Sequence, residues 1–173
     1  MAPVRRFDAT QGPRIVRPRH GKTVDLGSCG ARFLAWGEET GGGFALVEYP
    51  IPARHLAAPL HRHSLEDEYS FVLEGRLGAL LGDDVVYAEV GDLVFKPRHQ
   101  WHTFWNADDT RCRILEIVSP AGFEHYFEEL SDGLRAAGEY QQRYQTEVDL
   151  DGTQHVLQRF GLLFPSVPRS PTP

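Results

Sequence analysis

The stretch His61-Arg62-His63-Ser64-Leu65-Glu66-Asp67-Glu68-Tyr69-Ser70-Phe71-Val72-Leu73-Glu74-Gly75 carries a strand pattern and a set of metal-type side chains together. Side chains alternate between the two faces of a strand, so His61 and His63 stand on one face, about 7 Å apart at their Cα atoms. Glu68 opens an alternating run, 68–73, that reads as the next strand and stops at the turn signal Glu74-Gly75. A third imidazole, His102, follows Gly91 and Pro97 on a later strand. Three nitrogens and one carboxylate oxygen suit one divalent transition ion (Fe, Ni, Mn, Cu, Co or Zn) rather than calcium, which takes oxygen ligands. One carboxylate facing a dication leaves a net positive centre, able to hold an ionised substrate oxygen or to activate water.

On both sides of this stretch the chain repeats short apolar or alternating runs separated by turns. Strands are expected at 45–51, 60–64, 76–81 and 85–90, the last two flanking Gly82-Asp83-Asp84, and at 93–96, 100–106 and 111–118. That spacing belongs to an all-β sandwich or barrel. With 17 Gly and 12 Pro in 173 residues, a long coiled coil is excluded. After Pro120-Ala121-Gly122 the period changes: Phe123, Tyr126, Phe127 and Leu130 recur at helical spacing. A second helix is expected to start near Asp151 as its cap, to bury Val156, Leu157 and Phe160, and to stop at Gly161. The organisation expected is an N-terminal arm and first strands over 1–43, a barrel core over 44–120, a helical extension over 121–165 and a tail over 166–173.

A net charge of -6 argues against nucleic-acid or anionic-membrane binding, and no apolar run approaches the roughly 18 to 20 residues that span a bilayer. Residues 1–19 lack an apolar segment of the secretory type, which points to the cytoplasm. Cys29 and Cys112 are far apart and read as two reduced thiols. Arg5, Arg6, Arg14, Arg17, Arg19 and Lys22 make the arm basic, whereas Glu124, Glu128, Glu129 and Asp132 make a later stretch acidic, so the two could attract one another.

Alternation also sets the expected pocket. Ser70 and Val72 share the face of Glu68, and Phe104 and Asn106 share the face of His102, so Ser70, Val72 and Phe104 are the expected pocket lining. Trp101 and Trp105 face the other way, awaiting cover by a helix, the arm or a partner subunit. Glu66 and Asp67 read as solvated loop charges.

The order His61-x-His63, four residues, Glu68, six residues, Gly75, followed by Gly91, five residues, Pro97, then His102, three residues and Asn106, resembles the two motifs of the cupin superfamily. The continuation Ser119-Pro120-Ala121-Gly122-Phe123-Glu124 into an aromatic helix looks like the single-domain (monocupin) metalloproteins of the quercetin 2,3-dioxygenase-like group. The resemblance implies a double-stranded β-helix, a jelly-roll barrel with the C-terminal helices packed outside. It implies His61, His63, Glu68 and His102 as metal ligands, with Gly75, Gly91, Pro97 and Asn106 as turn or structural positions. His55 and His99 stand where such proteins usually have glycine, at turns where a positive φ costs a side chain about 1 kcal/mol. His99 is a candidate proton shuttle beside Glu68.

Within that superfamily one kind of centre serves dioxygenation, isomerisation, decarboxylation, cyclisation and plain ligand binding. The leading expectation is a dioxygenase-like oxidoreductase acting on an enolic or phenolic small molecule, with Glu68 accepting its proton. The alternatives are a redox-silent zinc-dependent polyketide cyclase or isomerase, in which His99 or Glu68 moves protons, and a small-molecule-binding cupin without turnover. A homodimer is expected, paired through the N-terminal arm and the Trp101/Trp105 face.

Overall fold

A computed structural model describes residues 15–131 and 141–165. Arg5, Arg6 and Arg14 of the basic arm, Asp132 of the acidic stretch and the tail from 166 lie outside the described residues.

Eleven described strands form two antiparallel sheets. The six-stranded sheet runs in the order β1 (Thr23–Asp25), β2 (Gly30–Ala35), β3 (Ala45–Ile51), β10 (Cys112–Ser119), β5 (Asp67–Glu74), β8 (Leu93–Lys96). The five-stranded sheet runs β11 (Thr146–Asp149), β4 (Leu60–His63), β9 (His102–Asn106), β6 (Leu77–Leu81), β7 (Asp84–Ala88). Outside the sheets lie α1 (Glu124–Ser131) and α2 (Leu150–Phe160). This is the expected all-β jelly roll with helices on its surface.

Alternation decides what enters the barrel. On β10, Cys112, Ile114, Glu116 and Val118 are buried while the residues between them are partly exposed; on β5 the same holds for Glu68, Ser70 and Val72. Val47, Ile51, Val72, Leu77 and Ile114 fill the space between the sheets. Gly75 closes the turn after β5 at φ +73°, with a would-be Cβ 2.6 Å from the Arg111 carbonyl oxygen, so a side chain is excluded there twice over.

The outer face of β9 is covered by α2. Trp105 is buried and stacks on Phe160 with ring centroids 4.6 Å apart, beside Leu56, Val156 and Leu162. Its indole lies so close to the β6 backbone that a Cβ on Gly78 would sit 2.3 Å from the ring. Of the covers anticipated for the tryptophan face, the helix is the one observed at Trp105. Trp101 is half-buried under the guanidinium of Arg62, 4.8 Å from the ring centroid.

Three local expectations are corrected, and one strand is added. The cap of α2 is Asp149, whose side chain accepts from the Gly152 N–H at 2.8 Å, and not Asp151, which lies in the first turn. Gly161 does end that helix in the left-handed region. β11, formed by Thr146-Glu147-Val148-Asp149, was not expected; too short and polar to show a period, it pairs with β4 so that Thr146 faces His63 and Val148 faces His61. Glu66 is buried rather than solvated, whereas Asp67 holds Arg98 at the surface at 2.8 Å. The positive φ falls on His99 and on Arg54, not on His55.

Both cysteines are buried and free, and burial pushes each thiol up to about 12, so neither is a thiolate. Lys22 pairs with Glu128, and Arg143 with Glu129, on the acidic side of α1. No described helix is long and apolar enough to cross a membrane.

Candidate metal centre

Strands β4, β5 and β9 bring His61, His63, Glu68 and His102 to one point inside the barrel. β4 pairs with β9 at His61 opposite His102, which sets the rings 4.3 Å apart, and the His61 and His63 rings are 4.8 Å apart. One ligand-type atom from each of the four residues lies within 4.8 Å of the other three, and all four residues are buried. Glu68 comes from the opposite sheet, its carboxylate oxygens 3.3 Å from Nε2 of His63 and 3.3 Å from Nε2 of His102.

Hydrogen bonds on the far side of each ring fix which nitrogen is bare. A carbonyl oxygen only accepts, so His61 donates from Nδ1 to the Pro59 carbonyl at 2.6 Å and His102 from Nδ1 to the Gln100 carbonyl at 3.0 Å. The Thr146 hydroxyl donates to the Tyr144 carbonyl and so accepts from Nδ1 of His63 at 3.3 Å, with Glu66 3.8 Å from the same nitrogen. Each ring therefore turns an unprotonated Nε2 toward the centre. Nε2 of His63 and Nε2 of His102 are buried without a hydrogen-bond partner, a costly arrangement that a cation would relieve.

Electrostatics point the same way. Burial, then the neighbouring imidazoles His102 and His63, hold His61 well below the usual histidine range, and burial lowers His102. Both stay neutral, the form that ligates. Burial opposes ionisation of Glu68, but the Lys96 ammonium and His63 outweigh it and hold the carboxyl well below the usual carboxylate range. The residues present fit a divalent ion held by three imidazoles and one carboxylate.

Lys96 was not anticipated. Its Nζ lies 2.8 Å from Oε2 of Glu68 and 2.9 Å from Oε1 of Glu116, with almost no exposure of the side chain. Burial pushes the Glu116 carboxyl up to about 7, and its other oxygen accepts from the Ser70 hydroxyl at 2.6 Å. A chain Ser70, Glu116, Lys96, Glu68 thus backs the site. Glu116 was signalled in the sequence by the inward phase of Ile114 and Val118. Lys96 was not, because Leu93-Val94-Phe95-Lys96 is apolar in both phases and only the pairing of Lys96 with Glu68 across β5 and β8 turns it inward.

A cavity of about 50 Å³ adjoins the centre, lined by His61, Glu68 and Phe104 together with aromatic residues of α1 and its approach. Of the residues expected to line the pocket, Phe104 does. Ser70 and Val72 point into the barrel as expected, but Ser70 is engaged by Glu116 and Val72 is packed in the core, and neither lines this cavity. His99 is exposed on its turn at φ +67° and touches the site through its backbone N–H, which donates to the His63 carbonyl at 2.7 Å; its ring is not in the lining. Tyr49, Phe123, Tyr126 and Phe127 do line it. Phe123 also stands edge-on to His63 at 4.3 Å, so the helix covers the metal-type cluster directly.

Residues 48–118 match the family model described as Cupin domain. No curated protein matches the chain. Among solved structures, KdgF from Halomonas sp. has a TM-score of 0.57 at 15% identity, covering 66% of this chain and 99% of that one. An RmlC-like cupin from Shewanella frigidimarina has a TM-score of 0.56 at 17% identity over 66% of this chain and 96% of its own. An oxalate decarboxylase, so named by prediction, from Thermotoga maritima gives 0.56 at 17% identity, over 62% and 99%. At such identities these likenesses speak to the fold alone. The match over residues 48–118 and the two-sheet barrel built around them show a cupin-type fold in this part of the chain.

Proposed function

We propose that the chain is a metal-dependent oxidoreductase of the dioxygenase kind, related to the quercetin 2,3-dioxygenase-like cupins, acting on an enolic or phenolic small molecule. The observation that carries this reading is the convergence of three imidazoles and one carboxylate, of which His61 and Glu68 line a largely apolar cavity. His61, His63, Glu68 and His102 would hold a divalent transition ion, which would supply a positive centre that lowers the pKa of an enol or phenol and, where redox-active, a path for electrons from the substrate to oxygen. Glu68 is the base of this reading: one carboxylate oxygen is held by Lys96, and the other faces the cluster, a ligand in one state and the acceptor of a proton from an entering hydroxyl in another. Phe104, Phe123 and Phe127 keep water from the reacting carbon.

The test is oxygen uptake by protein loaded in turn with iron, nickel, manganese, copper, cobalt and zinc, with 1,3-diketones as substrates. Uptake that requires both a redox-active metal and a substrate is the expected result. Substrate-independent uptake in every case removes the dioxygenase role, and full turnover of zinc protein under nitrogen moves the reading to the cyclase or isomerase.

For the homodimer, the exposed apolar set on the outer face of β5 and β8 is a better partner surface than the covered Trp105. There Tyr69 stacks on Phe95 at 4.8 Å, while Phe71, Leu93 and Phe95 stay partly exposed. Light scattering is expected to give twice the chain mass for the wild type and the monomer mass for Phe95→Glu; a monomeric wild type at micromolar concentration ends this part of the reading.

A further inference from the structure

The polar groups of the cavity are few, and most are already engaged. Thr146 is committed to His63 and Tyr144, and the neutral thiol of Cys29 faces the Ala57 carbonyl at 3.7 Å. Tyr49 differs. It projects inward from β3, is 3% exposed, lines the cavity between Phe104 and Phe127, and its hydroxyl has no hydrogen-bond partner. Burial, with the carboxylates of Glu116 and Glu68 nearby, holds this phenol well above its ordinary range, so it remains a donor. A buried hydroxyl left unmatched is expensive and calls for an acceptor.

The same lining excludes classes of ligand. Among the described residues no arginine or lysine lines the cavity, so away from the metal-type cluster an anionic group such as a phosphate would meet no counter-charge. The Lys96 ammonium, 4.1 Å from the Phe104 ring centroid, is taken up by Glu68 and Glu116. Leu26, Ala57, Phe104, Phe123, Phe127 and Val148 give apolar walls. The cavity's 50 Å³ corresponds to roughly four waters at about 10–15 Å³ each, the bulk of a single six-membered ring and not of a three-ring flavonol.

Resting on the metal-centred reading above, we infer that the cavity takes a neutral molecule of one-ring size with two oxygens, one held beside His61 and Glu68 and the other accepting a hydrogen bond from the Tyr49 hydroxyl. Tyr49 is then a binding residue that selects for the second oxygen, and the class is that of compact hydroxy-carbonyl compounds.

The probes are 2-hydroxyacetophenone, phenol and 3-hydroxyflavone, titrated calorimetrically into zinc-loaded wild type and zinc-loaded Tyr49→Phe. The substitution removes an unpartnered oxygen and keeps the ring, so metal content and melting temperature are expected to be at least those of the wild type. The ketone should bind the variant about tenfold more weakly, the worth of one hydrogen bond, while phenol, lacking the second oxygen, binds both proteins alike. 3-Hydroxyflavone should bind neither. Equal affinity of the two proteins for the ketone overturns the role of Tyr49, and flavonol binding as tight as that of the ketone overturns the size limit. A wild type that takes up no metal defeats the metal-centred reading instead; the ketone comparison, run on the same two proteins, then still decides for or against Tyr49.

Discussion

Replacing His102 by alanine is expected to reduce the metal recovered with the purified protein, measured by elemental analysis, to under about a tenth of the wild-type content. His102 supplies one of the bare nitrogens, is fully buried, and is locked in orientation by the Gln100 carbonyl. Loss of an outer partner of a ligand typically costs about 10–100-fold in metal affinity, and loss of the ligand itself removes more. The melting curve of the variant should remain cooperative, because α2 and the Trp105 face pack on the other side of β9. Undiminished metal in a folded His102→Ala protein would remove the centre from the reading.

The four side chains of that centre could be read before any coordinates because a strand has a period of two. His61 and His63 share a face in any barrel, and Glu68 and His102 follow at spacings the turn residues Gly75, Gly91 and Pro97 punctuate. What surrounds the centre was less legible, for reasons that differ residue by residue. Tyr49 sits in Ala-Leu-Val-Glu-Tyr-Pro-Ile, where Glu48 is buried along with its neighbours, so alternation does not say which side chain faces inward. Lys96 ends a strand that is apolar in both phases, and a charge at the end of a strand reads as solvent-facing until its partner across the sheet is known. Thr146 reaches His63 only because residues 146–149 extend the second sheet, a long-range pairing with no local period. The cap of α2 falls on Asp149 rather than Asp151 because the same Asp149 ends that added strand, a choice between two aspartates that tertiary structure makes. His99 shows the limit of analogy: it tolerates the left-handed turn of a missing glycine, and in doing so keeps its ring outside the cavity.

Lys96→Met is expected to lower the unfolding free energy of the metal-free protein by about 3–5 kcal/mol, the usual cost of removing one partner from a buried ion pair. The cost is electrostatic rather than one of packing. Methionine fills most of the lysine stem and keeps contact with Phe104, but it leaves Glu68 and Glu116 buried with no cation between them. Adding Glu116→Gln should therefore restore a large part of the loss, because the amide can still engage Ser70 and the surplus negative charge is gone. A metal ion loaded into the single variant should restore stability as well, since it supplies a cation to Glu68 in place of the ammonium. Urea denaturation of wild type, both single variants and the double variant, with and without added zinc, gives the coupling energy directly. A Lys96→Met protein within about 0.5 kcal/mol of wild type, or a double variant whose losses simply add, would mean that water screens this group and that Lys96 does not neutralise the carboxylates it touches. If the coupling is found, the lysine has a second consequence. By holding one oxygen of Glu68 it fixes which oxygen remains for a metal, so the barrel sets the orientation of its single carboxylate ligand from behind, on a strand that carries no ligand of its own.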